Sequence, residues 1–266
     1  MLSLVGEMWL VEANDMNRMD QSRLADYLGG WLRQRVKESK TQGAVVNNSG
    51  GVDSAVVIGL CARAGLDTVT LVQPCESKEE DVVHARLVAK RFEVPCLELD
   101  LDKVLYAYLH ILEPAFQQVE DSEKGGLARA NLKPRLRMVS LYYFANRLNY
   151  LAVGTGNLSE LTVGYFTKYG DGGTDALPLG NLVKREVYAL ARFLGVPSEV
   201  VEKPPSAGLW AGQTDEKELG FTYDQLDDYI RNGAVAEEVA ERIRALYKAS
   251  EHKRHMPPVP APWEGE

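Results

Sequence analysis

The sequence has 266 residues, of which 45% are hydrophobic and 26% are charged, the ordinary composition of a soluble globular protein. The formal net charge of -8 argues against a broad nucleic-acid-binding surface, and no run of about 18 apolar residues predicts a membrane span. The three cysteines, Cys61, Cys75 and Cys96, are too few and too scattered for a disulfide framework or a cysteine metal site, so we expect buried or half-buried thiols in a reducing cytoplasm.

The two ends of the chain differ in composition from its middle. Residues 1–20 lack a basic stretch ahead of their apolar residues, so they do not resemble a secretion signal and are predicted to be a disordered leader. Met16 and Met19 are alternative start positions. Residues 21–255 are predicted to form a single domain, and residues 256–266 a Pro-rich, extended tail.

The first half of the chain alternates helical and strand patterns. Apolar residues at helical spacing predict helices, and short β-branched runs predict strands. In order, the predicted elements are a helix over Arg23–Lys37, a strand over Ala44–Val46, a helix over Ser54–Ala64 that stops at Gly65, a strand over Thr68–Val72, a helix over Ser77–Phe92 with Ser77 and Glu80 as a capping box, a strand over Val94–Leu99 and a helix to about Val119.

The second half contains longer irregular segments. A polar connector over Asp121–Ala130 precedes a predicted helix over Asn131–Leu148, with Pro134 in its first turn, and a strand over Tyr150–Gly154. The remaining predicted helices are Lys184–Phe193, Asp224–Arg231 and Glu237–Lys248. Asn157–Leu182 and Lys203–Gly220 are predicted to be long loops, which in compact enzymes are usually functional or disordered.

Strand–helix alternation at this spacing predicts right-handed parallel βαβ units. The expected fold class is therefore α/β, a doubly wound, mostly parallel sheet flanked by helices and Rossmann-like in its plan. In such sheets, ligands bind at the carboxyl ends of the strands.

The stretch VVNNSGGVDS places a Gly-rich turn between a strand and a helix. Backbone N–H groups at a helix start bind anions, and glycines let the backbone approach a phosphate closely. The turn lacks the lysine of a Walker A loop, which disfavours γ-phosphoryl transfer of that kind. It carries Asp53 instead, a candidate ligand for Mg²⁺ bridging phosphate oxygens.

SGGVDS resembles the PP-loop of the ATP pyrophosphatase superfamily, whose fold is adenine nucleotide alpha hydrolase-like. Further blocks, in the same order along the chain, resemble ammonia-dependent NAD synthetases. These blocks are NLKPRLRM at Asn131–Met138, GTGNLSELTVGYFTKYGDGGTDALPLGNLVKREV at Gly154–Val187, KPPSAGLWAGQTDEKELGFTYDQLDDYI at Lys203–Ile230, and EHKR at Glu251–Arg254.

The resemblance implies a ligase that makes NAD in the last step of its biosynthesis. ATP activates the carboxylate of deamido-NAD (nicotinic acid adenine dinucleotide) as an acyl-adenylate and pyrophosphate leaves. Ammonia then attacks, giving NAD and AMP. Activation is needed because a carboxylate is a poor electrophile, and AMP leaves far more readily than oxide.

The resemblance also implies site residues, which fall into three groups. The expected metal ligands for Mg²⁺ are Asp53 and Glu160, and the expected catalytic residues are Asp175 and Lys184. Independently of the resemblance, a carboxylate such as Asp175 is suited to hold or deprotonate the incoming ammonium, which is the hypothesis for its role. The expected ATP contacts are Asn47, Asn48, Ser49, Gly50, Gly51, Val52, Asp53, Ser54, Thr155, Lys184 and Ser206. The expected deamido-NAD contacts are Arg135, Lys168, Asp175, His252 and Lys253. Asn47 and Asn48 are bulkier than the small residues that the family often has there, and Ser206 replaces a commoner Thr.

Simpler interpretations stand beside these. The text DEKELGFTYDQLDDY is expected to be a solvated loop and helix start without chemistry, and Tyr142, Tyr143 and Phe144 to pack in the core or at a dimer interface. A tRNA-thiolating or GMP-synthetase-like PP-loop enzyme is one rival, although the isolated cysteines and acidic charge count against thiolation. A regulatory adenine-nucleotide-binding module without catalysis is the other.

Glutamine-using relatives carry an amidase domain, for which 266 residues leave no room. Free ammonia is therefore the expected nitrogen source, with a separate glutaminase partner left open. The family implies a homodimer, in which the Asn131–Leu148 helix is a candidate interface. A cytoplasmic location is expected, and neither nucleic acid nor membrane is expected as a partner.

Overall fold

The structure is a computed structural model that describes residues 21–116, 125–205 and 214–263. The predicted leader, Ser206 and the last three residues of the tail lie outside these ranges. Residues 256–263 form no helix or strand, and Met256, Val259 and Trp263 are exposed.

In the described residues, four parallel strands form one sheet in the order β3-β2-β1-β4. The strands are β1 (Gly43–Asn47), β2 (Thr68–Val72), β3 (Cys96–Glu98) and β4 (Tyr150–Val153). In the central strand, Ala44 lies beside Thr68 on one side and Leu151 on the other.

Helices fill the connections between strands and the region after β4. None of the helices in the described part of the chain combines the length and apolar character that a bilayer crossing requires. The helices are α1 (Gln21–Glu38), α2 (Val52–Arg63), α3 (Glu79–Arg91), α4 (Asp102–Phe116), α5 (Gly125–Leu148), α6 (Leu158–Val163), α7 (Lys184–Leu194), α8 (Ser198–Val201), α9 (Asp215–Leu219), α10 (Tyr223–Asn232) and α11 (Glu237–Ala249), followed by a 3₁₀ turn at Glu251–Lys253.

Both faces of the sheet are covered, because alternate strand residues point to opposite sides. Ala44 and Val46 of β1 belong to a core with α1, α2 and α7. Val45, between them, belongs to a second core with Leu141 and Ala145 of α5. The predicted doubly wound parallel sheet is thus confirmed.

The strand order changes direction at β1. The chain runs outward from β1 through β2 to β3 and then returns to place β4 on the other side of β1. Such a switch point leaves a crevice at the carboxyl ends of the two strands, where ligands of open α/β sheets bind. The segments after β1 and β4 are therefore brought together.

Several local predictions were wrong. Helix α5 starts at Gly125 rather than Asn131, so Pro134 lies inside the helix and the predicted connector is partly helical. The helix-forming run LARAN extends the helix before the proline, and tertiary packing tolerates its missing N–H group. Helix α3 is capped by Lys78 without a side-chain bond. The hydroxyl of Ser77 instead accepts hydrogen bonds from the Cys75 N–H and from Arg137.

The two segments predicted to be loops each contain a short helix, α6 and α9. Helix α6 follows a capping box that the loop-like composition of its surroundings obscured. The expected stop at Gly65 is confirmed by its left-handed φ of 65° immediately after α2.

Candidate active site

The Gly-rich turn between β1 and α2 is anchored to helix α3 by Asn48. Its buried side chain donates to the Ala85 carbonyl oxygen at 2.8 Å and accepts from the Gly50 N–H at 3.3 Å. Asn48, which is bulkier than the residue that the family often has at this position, therefore helps to fix the conformation of the turn.

Gly50 is required by the geometry of this turn. Its φ of +73° is left-handed, and a Cβ atom built on it would lie inside 3.0 Å of the Asp81 carbonyl oxygen. Only a glycine combines that conformation with so close an approach to α3.

The hydroxyl groups of the turn form a small network. Ser54 donates to the Gly51 carbonyl oxygen at 2.9 Å and lies 3.2 Å from the Ser49 hydroxyl. The Ser49 oxygen also accepts from the Gly51 N–H at 3.3 Å. This network holds the first turn of α2, where the free N–H groups of a helix favour an anion.

Asp53, Glu160 and Lys184 meet at the switch-point crevice. The ammonium nitrogen of Lys184 lies 2.5 Å from Asp53 Oδ2 and 3.3 Å from Glu160 Oε1. Lys184 is 131 positions from Asp53 in the chain, and its side chain is only 4% exposed. Parallel strands that end at the same edge of the sheet explain how residues so distant in sequence share one site.

The charges at this site perturb one another. Burial alone would lower the pKa of Lys184, but the carboxylates of Asp53 and Glu160 outweigh it and raise the pKa above its ordinary value. Burial raises the pKa of Glu160, Lys184 opposes that rise, and Asp53 adds to it. Lys184 is therefore held as an ammonium group between two acids.

The same residues fit a divalent metal. Asp53 and Glu160 present carboxylate oxygens toward one cationic group, and Mg²⁺ is commonly held by one or two carboxylates together with substrate phosphates. Within residues 21–116, 125–205 and 214–263, no cluster of three or more acidic, His or Cys side chains would hold a metal on protein ligands alone.

The sequence prediction missed Asn157. Its side chain donates to Asp53 Oδ1 at 2.8 Å and accepts from the Glu160 N–H at 3.0 Å, while Glu160 Oε2 accepts from the Asn157 N–H at 3.2 Å. This capping box starts α6 and turns the other oxygen of Glu160 toward Lys184. The spacing N-x-x-E in NLSE was a detectable signal for it.

The expectation that DEKELGFTYDQLDDY is solvated was wrong for six residues, which are buried: Leu219, Phe221 and Leu226, and the polar Asp215, Tyr223 and Asp227. Asp215, Tyr223 and Asp227 are 4%, 6% and 0% exposed. The ring of Tyr223 lies under Lys184, with 5.1 Å from the ammonium nitrogen to the ring centroid, and its hydroxyl donates to Asp215. No local pattern distinguishes these acids from their exposed neighbours.

Four of the predicted dinucleotide contacts lie in a second group. Arg135 donates to the Lys168 carbonyl oxygen, and the Lys168 ammonium group donates to the His252 carbonyl oxygen at 2.6 Å. Lys253 donates to the carbonyl oxygens of Gly164 and Phe166, both at 2.7 Å. The C-terminal 3₁₀ turn is thereby attached to the loop after α6.

Asp175 lies in different surroundings. Its carboxylate accepts from the Tyr142 hydroxyl at 2.7 Å and from the Ala152 N–H at 2.9 Å. It lines an open cavity of about 570 Å³, together with Arg35 and Asn146 among others. None of the second group of residues (Arg135, Lys168, His252 and Lys253) lines this cavity. Of the three aromatic residues predicted to pack in the core or at an interface, Phe144 is partly buried and packs against the second core, whereas Tyr143 is 61% exposed.

A smaller cavity of about 110 Å³ adjoins the Gly-rich turn. It is lined by Asn47, Ser49, Gln73, Arg137 and Lys203, among others. Lys203 forms an ion pair with Asp81 at the start of α3. Of the other predicted ATP contacts, Val52 is buried in the first core, and Thr155 lies two residues after β4.

Comparison with known proteins gives a consistent result. The family model described as NAD synthase matches residues 24–257. The NH(3)-dependent NAD(+) synthetase of Syntrophomonas wolfei is 48% identical over 91% of this chain and 96% of its own length.

Solved structures agree with this match. An NMN synthetase from Francisella tularensis superposes with a TM-score of 0.85 at 34% identity, covering 91% of this chain and 99% of its own. An NAD+ synthetase from Burkholderia pseudomallei gives 0.73 at 30% identity, covering 90% and 91%. The resemblance found in the sequence is confirmed.

Proposed function

The chain belongs to the NAD synthase family, and from this premise we propose that it amidates deamido-NAD with ammonia and ATP, giving NAD, AMP and pyrophosphate through an acyl-adenylate. The observation that carries the proposal is the convergence of Asp53, Glu160 and Lys184 beside the Gly-rich turn. That arrangement joins a phosphate-binding backbone to two carboxylates and a cation. We place the reaction in the cytoplasm.

In the first step, the substrate carboxylate attacks the α-phosphorus of ATP and the bond to the bridging oxygen of pyrophosphate breaks. The turn over Asn48–Ser54 binds the departing pyrophosphate through its backbone N–H groups. Lys184 stabilises the negative charge that develops on the phosphate oxygens, because its raised pKa keeps it cationic. Thr155 and Ser206 complete the proposed ATP contacts.

Asp53 and Glu160 are the proposed Mg²⁺ ligands. When bound, the metal neutralises phosphate charge and acts as a Lewis acid. The chain's own contribution is orientation: Asn157 fixes both acids through its bonds to Asp53 and to the Glu160 N–H.

In the second step, ammonia attacks the activated carbonyl carbon and AMP leaves. Asp175 is the proposed base that takes the proton from ammonium. Tyr142 and the Ala152 N–H orient its carboxylate, which supports a fixed position for that transfer. Asp175→Asn is expected to slow amide formation more than adenylate formation, and equal slowing would remove the base role.

We further propose that the active form is a homodimer and that Arg135, Lys168, His252 and Lys253 contact the dinucleotide. The exposed apolar residues Val139 and Tyr143 on α5, both 61% exposed, favour this helix as the interface. Sedimentation analysis of the purified chain tests the dimer.

The deciding experiment incubates the purified chain with ATP, Mg²⁺, deamido-NAD and ammonium. NAD, AMP and pyrophosphate are expected in equal amounts. Tight ATP binding without AMP would favour the regulatory module instead. Lys184→Ala is the matched control for contaminating activity and should form little product.

The TM-score of 0.85 with an NMN synthetase favours one second candidate, amidation of nicotinic acid mononucleotide to NMN. The same assay with the mononucleotide in place of deamido-NAD distinguishes the two. If kcat/KM is higher for the mononucleotide, the mononucleotide is the preferred substrate and the ligase chemistry is unchanged.

A further inference from the structure

Asp227 on helix α10 is a carboxylate with no exposed surface. Its Oδ1 accepts from the Ser159 hydroxyl at 2.6 Å and from the Lys184 N–H at 3.3 Å. Its Oδ2 accepts from the Arg185 N–H at 2.8 Å and from Arg185 Nε at 3.4 Å. One buried side chain therefore bonds to two different segments of the crevice.

These bonds compensate for the cost of burying a charge. The first N–H groups of a helix have no partners within it and carry partial positive charge. Asp227 accepts from two such groups at the start of α7, while Ser159 brings in the first turn of α6. A buried carboxylate is tolerated only when its oxygens are satisfied in this way.

The two segments that Asp227 joins are those that carry the reacting charges. Ser159 immediately precedes Glu160, and the N–H group bonded by Asp227 belongs to Lys184 itself. Ser159 Oγ also accepts from the Lys184 N–H at 3.0 Å. A shift of Asp227 would therefore alter the 3.3 Å separation between Glu160 and the Lys184 ammonium group.

Attachment of α10 to α7 does not depend on Asp227 alone. Arg231 on α10 forms two hydrogen bonds with Glu186 on α7, at 2.6 and 2.9 Å. Arg185 pairs with Asp228, whose side chain is 42% exposed, at 2.6 Å. The helices thus have other ion pairs to hold them together, while Asp227 reaches the backbone of Lys184 and the hydroxyl of Ser159.

We propose that Asp227 is a positioning residue for the ligase reaction. From helix α10, its hydrogen bonds fix the position of Lys184 relative to Glu160. The inference rests on the proposed function. It assigns the C-terminal helices a part in catalysis, through a residue that contacts neither substrate nor metal.

The test compares Asp227→Asn with Asp228→Asn. The amide keeps the shape of the carboxylate but places an NH₂ group against the N–H and hydroxyl donors that bind Asp227. We therefore expect kcat to fall about 10–100-fold, the range typical for residues that orient a ligating side chain through a hydrogen bond. The KM for ATP should change less than threefold. Asp228→Asn should leave kcat within about twofold. A normal kcat for a folded Asp227→Asn would overturn the proposal.

A double-mutant cycle separates positioning from general damage. If Asp227 acts through Lys184, Asp227→Asn should slow the Lys184→Arg enzyme, which keeps a cation at this position, by a smaller factor than it slows the unaltered enzyme, whereas an equal factor contradicts the proposal. If Asp227→Asn fails to fold, Ser159→Ala replaces it in the same cycle, with the same two outcomes.

A readout without turnover keeps the two proposals distinguishable. The side-chain NMR signal of Lys184, assigned by its loss in Lys184→Ala, should shift in Asp227→Asn and stay in place in Asp228→Asn. An unmoved signal in both variants overturns the positioning role. If the unaltered chain makes no amide while the signal does shift, the proposed function fails and the link between Asp227 and Lys184 stands.

Discussion

Gly50→Ala is expected to destabilise the fold far more than the same change at the adjacent Gly51. At Gly50 the new methyl group must adopt a left-handed φ of +73° and would meet the Asp81 carbonyl oxygen inside 3.0 Å and the Ala85 nitrogen at 3.1 Å. Real Cβ contacts essentially never fall below 3.0 Å, so the turn or α3 must move.

The magnitude follows from two contributions. The left-handed conformation costs about 1–2 kcal/mol for a residue with a Cβ atom, and overpacking typically adds about 1–3 kcal/mol. The smaller entropy of the unfolded alanine chain offsets about 0.4–1 kcal/mol. We therefore expect a loss of about 1–4.5 kcal/mol in the free energy of unfolding.

Gly51→Ala is the matched control in the same turn. Its nearest contact would be Ser49 Oγ at 3.3 Å, and its φ of −94° suits any residue. Because Gly51 caps α2, alanine there should cost less than about 1 kcal/mol. Urea unfolding followed by circular dichroism measures both variants. Equal stabilities for the two would refute the close packing of the turn on α3.

Two further predictions concern titratable groups. The hydrogen bond from Lys133, with others from Arg129 and Tyr106, lowers the pKa of Glu76 to about 2. Since the pKa of Glu76 is lower in the folded than in the unfolded chain, its ion pairs stabilise the fold above pH 4.5, and this stabilisation is lost toward pH 2. Glu76→Gln should therefore lower the free energy of unfolding by about 1–2 kcal/mol at pH 7, after allowance for solvent screening, and by progressively less in acid. Denaturant titrations of the unaltered chain and of Glu76→Gln measure this loss, and a stability difference that does not change with pH would contradict the prediction. Burial raises the pKa of Cys61 to about 12, so alkylation of the folded chain at pH 8, read by mass spectrometry, should modify the half-buried Cys96 well before Cys61; equal rates would be the contrary result.

Much of the fold was predictable because its signals are local. Short β-branched runs such as Thr68–Val72, with helical stripes between them, identify parallel βαβ units. The start of α5 was missed because proline is usually found in a first turn, and at Pro134 the packing of the long helix overrides that preference. The capping of α3 was missed because Ser77 bonds to the distant Arg137 instead.

The sequence alone identified the Gly-rich turn, its missing lysine and the family, since each depends on residues that are adjacent or occur in a fixed order. Only the tertiary structure decided that Lys184 sits between Asp53 and Glu160, that Asp175 faces a different cavity from Arg135, and that Asp227 is buried while Asp228 is half-buried. The physical reason is that the charge environment of a side chain depends on which helices and strands pack around it, and distant parts of the chain supply those neighbours.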